Sequence, residues 1–123
     1  MINEQFRKLI HHLIQLQDES SAFYLAMASY MNELNLKGME SWFKFQSEKE
    51  LEHMVTLRDY LINSGETVGM NFTTTKHFHF GSPLESFQNA LKHEDFVSDS
   101  YRKAFSTFKQ IKLNIGYNPL NKT

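Results

Sequence analysis

The sequence has no cysteine, no long apolar run and no surplus of charge of one sign. Without cysteine it can form neither disulfide bonds nor thiolate metal sites. Its longest apolar run, residues 22–28, is far shorter than the roughly 20 residues a helix needs to cross a bilayer. The net charge of −1 gives no electrostatic reason to bind nucleic acid or an acidic membrane. The first residues lack the apolar block of a signal peptide, so we expect a cytoplasmic protein without nucleic-acid or membrane partners.

Apolar residues recur along the chain at the three- and four-residue steps of amphipathic helices. This periodicity predicts helices over about 3–34, 39–63 and 83–110. A chain of 123 residues suits one domain, which we place at 1–110. Residues 111–123 hold three asparagines, a glycine and a proline, which predicts an irregular tail. The fold class is therefore predicted to be all-α.

Turn residues separate the predicted helices. Gly38 is the expected turn residue between the first two helices, and Gly65 the expected cap at the end of the second. Residues 65–82 form a long connection that at about 3.3 Å per residue reaches about 60 Å. A helix of about 25 residues is only about 38 Å long. The connection can therefore cross the whole bundle, which predicts parallel second and third helices and an antiparallel first helix.

Each predicted helix interrupts its apolar stripe with a polar residue near the middle. Gln17 interrupts the first stripe, Glu50 and His53 the second (in EKELEHM), and Glu94 the third. A buried, unpaired ion costs several kcal/mol, so three such interruptions at similar depth suggest a shared cation. The Glu-x-x-His spacing places a carboxylate and an imidazole one turn apart on one face. Oxygen and nitrogen ligands without sulfur suit iron, manganese or zinc.

Each of these residues also has a simpler explanation. Most isolated Glu-x-x-His pairs are solvated surface groups, and Glu94 could pair with a lysine or arginine. Gln17 could bond a neighbouring backbone or side chain, and Tyr24 could be a core aromatic residue with its hydroxyl near water. The residues alone leave both explanations open.

Two stretches, ESSAFYLAMASYMNELNLKGMESWFKFQSEKELEHMVTLRDYLINSG and SPLESFQNALKHE, resemble non-haem bacterial-type ferritins. The resemblance covers residues 4 to about 110. It implies a ferritin-like helical bundle with a di-iron carboxylate site. It also implies ferroxidase chemistry, in which oxygen or peroxide oxidises Fe(II), and storage of the Fe(III) mineral inside an oligomeric shell.

The resemblance assigns a role to each polar residue. Glu50 and His53 match the second-helix metal ligands, and Glu94 matches the third-helix ligand. Tyr24 matches the tyrosine beside the site, where it would hydrogen-bond or donate an electron. Gln17 stands where the family has a glutamate, and a neutral amide implies a weaker ligand for a hard cation.

The chain departs from the family in other ways as well. It offers three helices, and the fourth helix with its Gln-x-x-Glu ligands is missing from it. Leu51 replaces the methionine of haem-binding relatives, so we expect non-haem iron and no haem. The prediction is therefore an iron-binding, iron-storage-related protein with an incomplete di-iron site and impaired oxidation. The alternative is a non-catalytic interaction subunit that pairs, through an exposed apolar groove, with a second copy or with full-length ferritin subunits.

Overall fold

The three predicted helices are present in the computed structural model, which describes residues 3–69 and 81–115. Helix α1 spans Glu4–Glu33, α2 spans Lys37–Asn63 and α3 spans Pro83–Ile115. No strand occurs within these described ranges, so the all-α prediction is confirmed. The same part of the chain contains no helix long and apolar enough to cross a membrane.

The turn between α1 and α2 is made by Asn35 and not, as predicted, by Gly38. Asn35 has a φ of 58°, a left-handed conformation that asparagine tolerates because its short side chain can bond locally. Gly38 lies inside α2, which begins at Lys37. The predicted cap of α2 is confirmed, since Gly65 has a φ of 86° and its N–H donates to the carbonyl of Ile62 at 3.0 Å.

Helix α3 begins where the sequence predicts but extends further. The hydroxyl of Ser82 accepts a hydrogen bond from the backbone N–H of Glu85 at 3.2 Å, which caps the first turn. The predicted end at residue 110 is wrong, because the helix continues to Ile115. Residues 111–115 contain no helix breaker, and the first one along the chain is Gly116. The rest of the predicted tail and residues 70–80 of the predicted connection lie outside the described residues.

Helix α1 packs antiparallel against both other helices. Near its start, Phe6 lies 6.0 Å from Tyr60 near the end of α2 and 5.3 Å from Phe108 in α3, measured between ring centroids. Near the end of α1, the hydroxyl of Tyr30 donates to the carbonyl of Gly81, just before α3. Helices α2 and α3 therefore run parallel, as predicted.

The core forms along α1 because that helix lies between the other two. In the described residues, no Cα atom of α2 comes within 8 Å of one in α3. Ser47 of α2 donates to the carbonyl of Ser21 at 2.8 Å, and these small side chains let α1 and α2 approach closely. The largest fully buried apolar side chains are Ile14, Tyr24, Met27, Met31, Phe43 and Leu61.

An open apolar groove of about 310 Å³ lies between the helices at the end that holds the start of α1. Its lining includes Phe6, Leu13, Leu57, Tyr60, Phe105 and Phe108. An exposed apolar groove is what the sequence predicts for this bundle.

Phe43 tests the packing of α2 on α1. We expect Phe43→Ala to lower the free energy of unfolding by about 3 kcal/mol, because the removed ring is fully buried and leaves a cavity. Phe45→Ala is the matched control, since Phe45 lies two residues along the same helix and is 56% exposed. The control should change stability by less than about 0.5 kcal/mol in urea unfolding. Equal losses in the two variants would contradict this assignment of the buried face.

Candidate metal centre

The four predicted ligand side chains line one cavity. This open cavity of about 610 Å³ lies between the three helices and is lined by Gln17 of α1, Glu50 and His53 of α2, and Glu94 of α3. Residues that are up to 77 positions apart in the sequence are thus gathered at one depth of the bundle. The shared depth that the polar interruptions predict is present in the structure.

Helix geometry explains this arrangement. Gln17 and Tyr24 are seven residues apart on α1, about two turns, so both side chains project from the same face. Glu94 and Tyr101 have the same spacing on α3. Because α1 and α3 are antiparallel, the first residue of each pair contacts the second residue of the other pair. The hydroxyl of Tyr24 donates to Glu94 Oε1, and Gln17 Nε2 donates to the hydroxyl of Tyr101 at 2.6 Å.

The carboxylate of Glu50 is buried, and one of its oxygens lacks a hydrogen-bond partner in the described part of the chain. Glu50 is 5% exposed, and its Oε2 atom has no hydrogen-bond partner among the described residues. The nearest imidazole atom, His53 Nδ1, lies 3.8 Å away, which is too far for a hydrogen bond. Burial raises the pKa of Glu50, and the negative charge of Glu94 raises it further, against smaller opposing effects of His53 and Lys49. The fold therefore bears the free-energy cost of burying this carboxylate.

The buried amide of Gln17 is likewise only partly hydrogen-bonded. Gln17 is 1% exposed and its nitrogen is bonded to Tyr101, yet its Oε1 has no donor in the described part of the chain. Buried polar atoms are nearly always hydrogen-bonded, so two such acceptor oxygens in side chains that line one cavity are unusual. A cation in contact with either oxygen would supply the missing partner. The donor set of carboxylate, amide and imidazole fits a metal ion that takes oxygen and nitrogen ligands.

The predicted ligands share the cavity without forming a tight cluster. Over residues 3–69 and 81–115, no three histidine, aspartate or glutamate side chains lie close enough together to hold one metal ion. The side chain of His53 is 55% exposed, which places it at the rim. Glu94 Oε1 is engaged by Tyr24. The full convergence of Glu50, His53 and Glu94 on one point is therefore not formed in this conformation.

Tyr24 is both a core residue and a partner of the candidate site. Its ring is fully buried and stacks against Phe43 with centroids 6.3 Å apart. Burial raises the pKa of Tyr24 well above its usual range, and the hydrogen bond and charge of Glu94 and the charge of Glu50 raise it further. The hydroxyl therefore stays protonated at neutral pH and acts as a donor that fixes one oxygen of Glu94.

Sequence reasoning missed Tyr101 and Arg102 as cavity residues. The seven-residue step from Glu94 to Tyr101 was a usable signal, because it repeats the step from Gln17 to Tyr24. Burial raises the pKa of Tyr101, so its hydroxyl also stays protonated. Arg102 is largely exposed and lies 3.6 Å from Asp99, so no pattern in the sequence distinguished it from an ordinary surface arginine.

Comparisons with known proteins match most of this chain. The sequence model of the ferritin-like domain matches residues 7–112. A bacterial non-heme ferritin of Bacteroides fragilis is 32% identical over 98 residues, which cover 80% of this chain and 62% of that protein. A bacterial non-heme ferritin of Campylobacter jejuni is 25% identical over 100 residues, covering 81% and 60%. The chain thus spans about 60% of the length of these relatives.

The fold is also similar to solved structures. An open-pore ferritin from the hyperthermophilic archaeon Archaeoglobus fulgidus superposes with a TM-score of 0.85 at 28% identity, covering 98% of this chain and 74% of that chain. An engineered closed form of the same archaeal ferritin gives a TM-score of 0.86 at 28% identity, covering 98% and 73%. The likeness therefore extends over nearly all of this chain.

The unpaired carboxylate predicts that the candidate site destabilises the metal-free protein. We expect Glu50→Gln to raise the free energy of unfolding at neutral pH by about 1 kcal/mol, because it removes a buried charge and the repulsion with Glu94. The exposed Glu52, two residues along, provides the control variant Glu52→Gln, which should be neutral. Thermal or urea unfolding in the presence of a chelator measures both. A loss of stability in Glu50→Gln would show that the carboxylate is satisfied in the fold.

Proposed function

This chain belongs to the ferritin family, and from that premise we propose that it binds Fe(II) as a substrate in the cavity lined by Gln17, Glu50, His53 and Glu94. The family match over residues 7–112 and the ferritin names of its relatives support iron as the substrate. The proposal places the chain in iron storage, with Fe(II) entering between the helices.

One observation carries the proposal. Two buried acceptor oxygens, Glu50 Oε2 and Gln17 Oε1, have no donor among the described residues, and both side chains line the same cavity. Leaving such atoms unsatisfied costs about 1–3 kcal/mol each, and more for a charged group. A cation bound there would offset this cost, whereas an empty structural core would favour apolar side chains at these positions.

Each ligand has a distinct role in the proposed site. Glu50 supplies the buried negative charge, and His53 at the rim would bind through one ring nitrogen when neutral. Glu94 supplies the second carboxylate from the opposite helix, oriented by the protonated hydroxyl of Tyr24. The two carboxylates balance the charge of one divalent ion. Gln17 adds only an amide oxygen, so we expect weaker binding than with a glutamate at this position.

Oxidation and storage follow from binding in this proposal. Each bound Fe(II) would give up one electron to oxygen or peroxide, and Fe(III) would pass on to a mineral. Tyr24 would hold Glu94 in place during this step. Storage of a mineral requires an enclosed space, so we propose that copies of the chain associate. The comparisons give no support to the alternative of a non-catalytic interaction subunit.

An anaerobic Fe(II) titration by calorimetry tests the proposed site. We expect Glu50→Ala to weaken binding at least about tenfold, because it removes the buried carboxylate, whereas Glu52→Ala should leave the affinity unchanged. Adding oxygen to the loaded protein then shows whether oxidation follows. Identical Fe(II) affinity in wild type and Glu50→Ala would remove the cavity from consideration as the iron site.

A further inference from the structure

We propose that Tyr101 is a positioning residue that presents the carbonyl oxygen of Gln17 to the metal ion. The inference rests on the proposed iron site and adds a residue to it. Tyr101 lies on α3, 84 positions from Gln17, and its hydroxyl lies 2.6 Å from Gln17 Nε2. Both side chains line the cavity that also holds Glu50 and Glu94.

A buried amide ligand has an orientation problem that a carboxylate does not have. The two ends of a glutamine amide have nearly the same shape, but one end accepts hydrogen bonds and the other donates them. Only the carbonyl end can bind a cation. When it does so, the NH₂ end needs an acceptor, because Gln17 is 1% exposed and little water can reach it.

The hydroxyl of Tyr101 is that acceptor. It accepts the hydrogen bond from Gln17 Nε2, which leaves Oε1 as the end of the amide that has no donor among the described residues. As an ordinary phenol, Tyr101 is neutral at neutral pH and adds no charge to the site. A phenylalanine at this position would leave the NH₂ end unsatisfied in the orientation that binds metal.

The pair therefore explains how a glutamine can serve at a ligand position. A carboxylate has two equivalent oxygens and no donor end, so it has no wrong end that Tyr101 would have to keep away from the cation. The need for Tyr101 should consequently depend on the residue at position 17. This dependence separates a positioning role from a general contribution of the tyrosine to packing.

A double-mutant cycle with anaerobic Fe(II) as the probe tests the inference. In the native background, we expect Tyr101→Phe to weaken Fe(II) binding about tenfold, because the metal-binding orientation of Gln17 loses its acceptor. In the Gln17→Glu background, the same Tyr101→Phe change should alter the affinity less than about twofold. Gln17→Glu alone should bind Fe(II) more tightly than the native chain. Tyr60→Phe is the control, because Tyr60 lines the apolar groove and not the metal cavity.

The outcomes separate this inference from the proposed function. Equal losses from Tyr101→Phe in both backgrounds would overturn it and assign Tyr101 a packing role, which thermal unfolding of the metal-free variants would show independently. No loss in the native background, together with weaker binding by Glu50→Ala, would overturn the inference while the iron site stands. No Fe(II) binding by the native chain would overturn both.

Discussion

The packing of α1 against both other helices is the constraint on which the rest of the structure depends. Because α1 runs antiparallel to α3, residues spaced by two turns on the two helices meet in pairs. Tyr24 therefore reaches Glu94, and Gln17 reaches Tyr101. Glu50 of α2 comes to the same depth because α2 is also antiparallel to α1 and packs closely on it through Ser47. A shift of α1 by one turn would separate all of these partners.

This arrangement places polar groups that lower the stability of the fold between two stabilising apolar clusters. The apolar core around Tyr24, Met27 and Phe43 stabilises one end of the bundle, and Ile14 and Leu61 stabilise the other. Between these two clusters lie a carboxylate with a raised pKa and an amide oxygen that has no donor within the described ranges. Retaining such groups in a core is costly for folding and useful for holding a cation. An ion bound at the proposed site only in the folded chain would stabilise it, which would couple metal binding to stability.

The two tyrosines of the cavity illustrate why a shared fold does not fix a site. Tyr24 donates a hydrogen bond to a carboxylate, whereas Tyr101 accepts a hydrogen bond from an amide. Both groups stay neutral because burial disfavours the phenolate. The acidic side chains that line the cavity are therefore Glu50 and Glu94, while Gln17 contributes a neutral amide and Arg102 a positive charge. The local partners, more than the fold, decide how a cation would be held.

The sequence by itself predicted the helices, their relative directions and the helix faces that carry Gln17, Glu50, His53 and Glu94, because these follow from the helical period and the length of a connection. The turn predicted at Gly38 is wrong, because the residue that adopts the left-handed conformation is the asparagine at position 35. The predicted end of α3 at residue 110 is also wrong. The asparagines, glycine and proline of residues 111–123 indicated an irregular tail, although no helix breaker precedes Gly116. Only the tertiary structure decided that His53 lies at an exposed rim, that Glu50 Oε2 has no hydrogen-bond partner among the described residues, and that Tyr101 bonds the amide of Gln17. Those facts depend on distances between side chains of different helices, which are set by packing and not by spacing along the chain.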